Sequence, residues 1–320
     1  MDLSVIAYTS LSLVVLYWFR KFLKGPMFKK PIRIDGKVVV ITGCNTGIGK
    51  ETALDLAKRG GKIYMACRDY EKCEAARIEI IGKSGNQNVF NRTLDLSSLR
   101  SVRAFCHQFL QEEERLDILI NNAGVLGDSK VRQLTEDGFE MHFGVNHLGH
   151  FLLTNLLLDA IKKAAPSRIV VVTSLMYAAA RIDKDDINLE KSYKGMDAYS
   201  KSKLANLLFT KELASRLEGS GVTVNCCHPG IVKTDISRNV LTGEESNFQK
   251  GLMNVCTKLF FKTAKSGAQP SIRLALEPSL EGKSGGYYFD ACQAPVMKKA
   301  KDPKMMKWLW GVSEELVGLK

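Results

Sequence analysis

The sequence predicts an α/β fold, a single doubly wound domain with a parallel sheet. Short apolar runs alternate with helical stretches of about 10–15 residues, which is typical of βαβ units. The runs are apolar on both faces, as strands covered by helices on each side must be. A glycine-rich turn joins the first run to the first helix. The 320 residues suffice for one large α/β domain or two small ones, and no repeat interrupts the alternation.

The predicted elements follow one another in regular order. The β-branched run 37–42 begins the sheet, and the glycine turn leads into a helix over 47–60. Further strands are predicted at 62–67, 88–96, 116–121, 168–174, 221–228 and 285–289. Further helices are predicted at 69–83, 98–114, 137–163 and 198–220. Because helices connect successive strands, we expect the strands to run parallel.

The net charge of +12 is concentrated at the two ends of the chain. Residues 1–37 contain seven basic and two acidic residues, and residues 251–320 contain eleven and six. The middle, 38–250, is nearly neutral, with 28 basic and 26 acidic residues. A nucleic-acid-binding protein would show a basic stripe through the fold, so the distribution argues against nucleic acid and favours a membrane as the partner.

The N-terminal segment 3–19 contains 17 residues without a charge and ends in three aromatic residues that suit a membrane interface. We expect an uncleaved, single-pass anchor helix. A cleaved signal peptide and a buried core helix are the alternatives, and the first is disfavoured because no basic residue precedes the run. The basic residues after Phe19 place the remaining chain in the cytosol. The slightly short span favours the endoplasmic reticulum, with a mitochondrial membrane as the alternative.

The expected organisation therefore has an anchor, a linker, one domain and a tail. Residues 1–24 form the anchor with its basic flank, and 25–36 form the linker. The domain covers 37–293 and includes an apolar substrate lid around 233–265. Residues 294–320 form a basic, amphipathic tail that either rests on the membrane or packs against the domain. A homo-oligomer is compatible with this arrangement.

Neither the cysteines nor the histidines form a metal-binding pattern. The eight cysteines contain no C-x-x-C pair, and several lie in strand-like apolar runs, which fits a reducing compartment. His142, His147 and His150 do not have the compact spacing of a zinc site. We therefore expect no metal and interpret these histidines as structural.

The turn between the first strand and the first helix has the features of a dinucleotide site. Its glycines let backbone N–H groups and the helix N-terminus approach a pyrophosphate. The residues expected to bind the cofactor there are Gly43, Asn45, Thr46, Gly47, Ile48 and Gly49. At the end of the second strand, Arg68 is placed to neutralise a 2′-phosphate, which favours NADP(H) over NAD(H).

A Y-x-x-x-K pair begins the helix predicted at 198–220. Tyr199 and Lys203 share one helix face, so the phenol and the ammonium can converge on one ligand. A free tyrosine has a pKa near 10, and a neighbouring cation would favour the phenolate and lower that pKa. The pair therefore predicts proton transfer at this face.

Together with the motifs NNAG (121–124), VNHLGHF (145–151) and HPGIVKT (228–234), these residues resemble the short-chain dehydrogenase/reductase family. The resemblance covers about residues 36–290. The residues within these motifs, and their order along the chain, are similar to those of the microsomal retinol dehydrogenase branch. The resemblance implies that Cys67 stands where NAD-preferring members have Asp, and that Tyr199 is the general acid/base. It further implies the following roles: Lys203 on the nicotinamide ribose, Ser174 on the substrate oxygen, Asn146 in a water relay, Asp95 and Leu96 at the adenine, and Asn122, Ala123, Gly124, Pro229, Gly230 and Thr234 along the cofactor.

The resemblance implies hydride transfer between NADP(H) and a lipophilic carbonyl or alcohol, with retinal and retinol as the leading pair. A sterol, a fatty aldehyde or a xenobiotic carbonyl is the alternative for the same chemistry. A non-catalytic nucleotide-binding membrane adaptor on this scaffold is the alternative from another class. Ser174 and Tyr199 are 25 positions apart, farther than in many members of the family that the chain resembles, and we expect this insertion to shape one wall of the substrate site.

Overall fold

The computed structural model describes residues 18, 24–126, 131–232, 261–290 and 292–320. Most of the predicted anchor, most of the predicted lid and Thr234 therefore lie outside the described residues. Within the described part of the chain, no helix is long and apolar enough to cross a membrane.

The described residues form an eight-stranded sheet, which confirms the α/β prediction. The strand order is β3-β2-β1-β4-β5-β6-β7-β8, and only the last pair is antiparallel. The strands are β1 (Val38–Thr42), β2 (Lys62–Cys67), β3 (Val89–Thr93), β4 (Ile118–Asn121), β5 (Ser167–Val172), β6 (Val222–His228), β7 (Tyr287–Phe289) and β8 (Cys292–Gln293). The order reverses between β1 and β4, which opens a ligand crevice at the carboxyl ends of these strands.

Helices cover both faces of this sheet. They are α1 (Gly47–Lys58), α2 (Tyr70–Ser84), α3 (Leu99–Glu112), α4 (Met141–Phe143), α5 (Gly149–Leu156), α6 (Leu158–Lys163), α7 (Gly195–Arg216), α8 (Ala264–Gly267), α9 (Gln269–Leu276) and α10 (Pro303–Leu316). Alternate strand residues enter two cores: Val39 and Ile41 pack towards α1, α2 and α9, whereas Val40 packs towards α3, α5 and α7. This explains why every central strand is apolar on both faces.

The helix predicted over 137–163 is interrupted in the structure. It begins at Met141, where the Glu140 carboxylate accepts hydrogen bonds from the N–H groups of His142 and Phe143. The segment Gly144–Leu148 is π-helical and leads into α5. A side chain at Gly149 would come within 2.6 Å of the Leu96 carbonyl oxygen, so only glycine allows this close approach.

The C-terminal tail packs against the domain through α10. Leu309, Trp310 and Ser313 are buried, and the indole of Trp310 lies against the rings of Phe151 and Phe209. The apolar face of the tail is therefore covered by α5 and α7.

The segment predicted as a linker, 25–36, also lies along the domain. The N–H of Phe28 donates to Gln269 Oε1 at 2.8 Å, and Lys30 pairs with the buried Glu277 at 2.6 Å. Ile34 is buried in the core that contains α1.

Candidate active site

The structure brings the predicted site residues to the carboxyl ends of the central strands. The glycine turn follows β1, the NNAG segment follows β4, Ser174 follows β5, and Pro229 and Gly230 follow β6. Helix α7 carries Tyr199 and Lys203 one turn apart. The carboxyl ends of parallel strands next to a change of strand order are where open α/β sheets bind ligands.

The glycine turn is built for close approach by a phosphate group. Gly43 and Gly47 have φ of +63° and +59°, which residues with side chains rarely adopt. A Cβ at Gly49 would clash with the Gly43 carbonyl oxygen and lie 2.5 Å from Asn122 Nδ2. The first turn of α1 has no acidic residue, so the N-terminal N–H groups and the helix dipole favour an anion. These residues fit a dinucleotide pyrophosphate.

Asn122 joins the glycine turn to the end of β4. Its Nδ2 donates to the carbonyl oxygens of Thr42 at 2.8 Å and Gly43 at 3.0 Å. In return, the Thr42 hydroxyl oxygen accepts the N–H groups of Asn122 and Ala123, both at 2.9 Å. These bonds hold the two strand ends together at the predicted cofactor site.

At the end of β2, Cys67 is buried and Arg68 is exposed. The carboxylate of Asp69 caps α2 by accepting the Lys72 N–H at 3.0 Å and pairs with Lys72 Nζ at 2.8 Å. The carboxylate at this strand end is thus already bound to α2, and the guanidinium extends towards solvent.

The residues predicted to border the adenine lie after β3. Asp95 accepts the N–H and the hydroxyl of Ser97 at 2.9 and 2.7 Å, which orders the turn before α3. Leu96 is buried beneath Gly149. Both residues are therefore held in place by the fold itself.

Tyr199, Ser174 and Lys203 meet at the start of α7. Burial raises the pKa of the Tyr199 phenol, and the nearby Ser174 side chain opposes this only in part, so the net shift is upward. This direction is opposite to that expected from the Lys203 charge alone. Lys203 Nζ lies 5.5 Å from the centre of the Tyr199 ring and donates to the Val172 carbonyl oxygen at 3.3 Å. Burial lowers the pKa of Lys203 to about 8.

Asn146 lies in the middle of the π-helical segment, facing α7. Its Oδ1 accepts the Val125 N–H at 2.8 Å, and its Nδ2 donates to the Ser202 hydroxyl at 2.9 Å. A Cβ at Gly124 would lie 3.4 Å from both Asn146 Oδ1 and Lys203 Nζ. A π-helical turn often marks a functional site, and here it directs Asn146 towards the Lys203 ammonium.

Three histidines lie beside these groups. The ring of His142 is 6.2 Å from that of Tyr199, and its Nδ1 is 2.6 Å from Glu140 Oε1. His150 contacts the Thr42 hydroxyl at 2.8 Å and the Asn146 carbonyl oxygen at 3.0 Å.

The third ring belongs to His228, whose Nδ1 accepts the N–H of Leu175 at 3.4 Å, next to Ser174. Its other face is covered by Phe289. No role in the site was predicted from the sequence for Glu140 or His228. For Glu140, the sequence contained one local hint, its position two residues before His142. Among the described residues, no group of histidine, cysteine and acidic side chains is arranged to hold a metal.

Beyond β6, Gly230 has φ of +87°, and a Cβ there would lie 2.8 Å from the Lys262 side chain. Lys262 is buried and pairs with Asp290 at the end of β7. Lys262 belongs to 261–265, the described part of the predicted lid. Its contacts hold that part against the turn that follows β6.

Comparisons with known proteins agree with this geometry. The short chain dehydrogenase family model matches residues 37–245. Retinol dehydrogenase 14 of Homo sapiens is 49% identical over 302 residues, covering 90% of this chain and 88% of that protein. Retinol dehydrogenase 13 of Homo sapiens is 49% identical over 303 residues, covering 94% and 90%.

Solved structures give the same result at the level of the fold. An uncharacterized protein from Mycobacterium paratuberculosis is 34% identical, with a TM-score of 0.72 and coverage of 92% of this chain and 98% of its own. RhlG of Pseudomonas aeruginosa, solved as an NADP active-site complex, has a TM-score of 0.66 at 22% identity, covering 82% and 98%. The chain therefore belongs to the short-chain dehydrogenase family, in its retinol dehydrogenase-like branch, and is an NAD(P)-dependent oxidoreductase.

Proposed function

We propose that this protein is a membrane-anchored, NADP-dependent enzyme that transfers a hydride between NADP(H) and a lipophilic carbonyl or alcohol, with retinal and retinol as the leading pair. The observation that carries this proposal is the cluster of Tyr199, Ser174 and Lys203 beside the glycine turn. The bound nicotinamide supplies or accepts the hydride.

The residues of the chain handle the proton and the oxygen. Ser174 donates a hydrogen bond to the substrate oxygen, and Tyr199 gives that oxygen its proton during reduction. Burial raises the pKa of the Tyr199 phenol, so the resting residue is protonated and ready to act as an acid. Lys203, with a pKa of about 8, is mostly charged at neutral pH, holds the nicotinamide ribose and stabilises the phenolate once the proton has left. Asn146 supports Lys203 through a water relay.

The preference for NADP(H) rests on the end of β2. Arg68 is exposed there and Asp69 is already bound to Lys72, so the surface next to the adenosine ribose offers a cation rather than a carboxylate. A guanidinium binds a phosphate group through two charge-assisted hydrogen bonds. In a cytosol that keeps NADPH reduced, carbonyl reduction is the favoured direction.

A lipophilic substrate is supported by apolar surface around the reacting groups. Leu175, which follows Ser174, is 49% exposed, and Met196, one turn before Tyr199, is 39% exposed. Phe289, stacked on His228, is 38% exposed. The names of the relatives point to a retinoid among lipophilic carbonyls. A sterol, a fatty aldehyde or a xenobiotic carbonyl is the alternative, since the same wall would accept each.

The membrane anchor is proposed from the uncharged segment 3–19 and the basic residues behind it. This topology puts the enzyme on the cytosolic face of the endoplasmic reticulum, with a mitochondrial membrane as the alternative. Deleting residues 1–24 should release the protein from microsomes into the supernatant at moderate salt. Retention of the truncated protein on the microsomes would refute an anchor in this segment.

The activity is tested with purified protein, NADPH and all-trans-retinal. Changing Tyr199 to Phe should lower kcat by about 10²- to 10⁴-fold, because general acid catalysis is lost. The control is Tyr64→Phe. Tyr64 lies in the middle of β2, and its hydroxyl donates to Glu113, so this change also removes a phenol but outside the site. Equal activity of Tyr199→Phe and wild type would refute the assignment. Turnover of another lipophilic aldehyde, but not of retinal, would select the alternative substrate.

A further inference from the structure

The insertion between the two reacting side chains is held by lysines. Residues 175–194, named here the 175–194 insertion, leave the sheet directly after Ser174 and return to α7 four residues before Tyr199. After the 3₁₀ helix Leu175–Ala179 the segment contains no regular element before α7, and Leu189 has φ of +53°. A segment with so little backbone pairing of its own needs partners from outside to stay in place.

Lys201 supplies the first set of bonds, from inside α7. Its Nζ donates to the carbonyl oxygens of Asp186 and Ile187, both at 2.8 Å. The Lys201 side chain is only 2% exposed, and burying an ammonium is unfavourable unless acceptors surround it. Burial lowers its pKa to about 8, while the carboxylates of Asp186, Glu140 and Asp183 oppose that shift. Lys201 lies two residues from both Tyr199 and Lys203, yet its contacts are with the insertion.

Lys299 supplies the second set, from the C-terminal tail. It belongs to the 3₁₀ helix Lys298–Lys301, and its Nζ donates to the carbonyl oxygens of Ala178 and Ala180, both at 2.6 Å. Lys299 is half-buried, whereas Lys298 and Lys301 are exposed. The middle lysine of this basic group is thus turned onto the insertion.

Side chains complete the attachment at the same two places. Tyr177 is buried against the ring of Tyr287 at 5.4 Å and accepts the Met297 N–H at 3.4 Å. Asn188 accepts the Glu140 N–H at 2.7 Å. The insertion therefore connects the tail, the catalytic helix and the start of α4, and its position follows from all three.

We propose that Lys201 and Lys299 are positioning residues that fix the 175–194 insertion as a wall of the substrate site and thereby determine affinity for long lipophilic carbonyls. The inference rests on the proposed function and extends it to the C-terminal tail. The insertion adjoins Ser174 and Tyr199, whereas the glycine turn follows β1, so we expect substrate binding to be affected more than cofactor binding.

The decisive comparison is Lys299→Met against Lys301→Met in the full-length protein. Both changes remove one charge from the same 3₁₀ helix, but only the first removes bonds to the insertion. Lys299→Met should raise KM for all-trans-retinal about tenfold through the loss of two charge-assisted hydrogen bonds, whereas KM for NADPH and kcat with benzaldehyde stay within about twofold. Lys301→Met should match wild type. Lys201→Met should change the same constants in the same direction.

Hydrogen exchange separates this inference from the proposed function. Amides of 175–194 should exchange faster in Lys299→Met than in Lys301→Met, without any substrate present. Unchanged exchange would overturn the inference, and so would faster exchange with an unchanged KM for retinal, because the insertion would then not be part of the substrate site. A wild-type protein that reduces no carbonyl would instead overturn the proposed function, and the substrate part of the inference with it.

Discussion

The proposed preference for NADP(H) rests on single side chains at the end of β2. Cys67 is buried and lacks the carboxylate that would bind a ribose hydroxyl, and the carboxylate of Asp69 is bound by Lys72 and the N-terminus of α2. Arg68, which follows Cys67 and is exposed, is the residue that we propose for a 2′-phosphate. On the proposed function, selectivity between the two nicotinamide cofactors depends on this one exposed guanidinium.

Replacing Arg68 with Ala tests this dependence. KM for NADPH should rise about 10- to 100-fold, since a hydrogen-bonded charge pair contributes about 1.5–3 kcal/mol, whereas KM for NADH should change less than about twofold. The control is Lys83→Ala, which removes a cation from the last turn of the same helix. Steady-state kinetics with both cofactors give the answer, and equal effects of Arg68→Ala on both would contradict it.

The residues found from the sequence are those whose chemistry is local. Tyr199 and Lys203 share a helix face, and Gly43 to Gly49 occupy a single turn, so local spacing and the neighbouring elements were enough to predict them as site residues. The contact between His142 and Tyr199 joins elements separated by 57 positions, and no local pattern contains it. The upward shift of the Tyr199 pKa was missed for the same reason, because it arises from burial by the folded chain.

Among the elements, α10 shows how one pattern permits two structures. An amphipathic basic helix fits a membrane surface and a protein core equally well, since both bury one apolar stripe. The structure contains specific polar contacts as well as apolar ones: Ser313 bonds His147 at 2.9 Å, and the Arg216 guanidinium lies 4.1 Å from the centre of the Trp310 ring. Such pairing depends on the complementary surface of the π-helical segment, α5 and α7, which the sequence of the tail does not reveal.

The two tryptophans of α10 provide a test of this packing. Trp310 is 5% exposed between Phe151 and Phe209, so Trp310→Ala should lower the free energy of unfolding by about 3–5 kcal/mol. Trp308 is only half-buried beneath Lys184, and Trp308→Ala should cost clearly less. Urea unfolding followed by circular dichroism measures both. Equal losses would mean that α10 does not pack through Trp310.

The π-helical segment before α5 is an element that periodicity does not reveal. Apolar residues recur over 137–163 at intervals that suit an α-helix, so a continuous helix is the natural prediction. The break depends on Gly149, which must pass close to Leu96, and on Glu140, which begins the helix at Met141. The orientation of Asn146 follows from this break.

For the molecule as a whole, alternation was enough to predict the architecture, because each buried strand needs a helix on either face. The order and register of the strands, such as Thr42 opposite Ala66 and Ile41 opposite Ile120, were not predicted, because alternation does not say which strands are neighbours or how they align. The attachment of the N-terminal and C-terminal segments was not implied. It depends on isolated contacts, such as that of Lys30 with Glu277, whose partners are about 250 positions apart.

Three buried histidines make the free energy of unfolding depend on pH. Burial lowers the pKa of His147 to about 3, and those of His150 and His228 to about 4, from 6.5. Between pH 6.5 and 4 the unfolded chain therefore binds more protons than the folded chain, so the free energy of unfolding falls as the pH falls. Most carboxylates do not oppose or add to this change above about pH 4.5, because they titrate lower.

Urea unfolding at pH 7, 6 and 5 and constant ionic strength should therefore show a loss that begins below about pH 6.5 and reaches several kcal/mol by pH 5, since each pKa unit corresponds to about 1.4 kcal/mol. His150→Asn should reduce the slope of stability against pH, because the remaining side chain does not titrate. The exposed His107 provides the matched control, and His107→Asn should leave the slope unchanged. A stability that is constant from pH 7 to pH 5 would show that these rings are protonated in the folded protein or accessible to water.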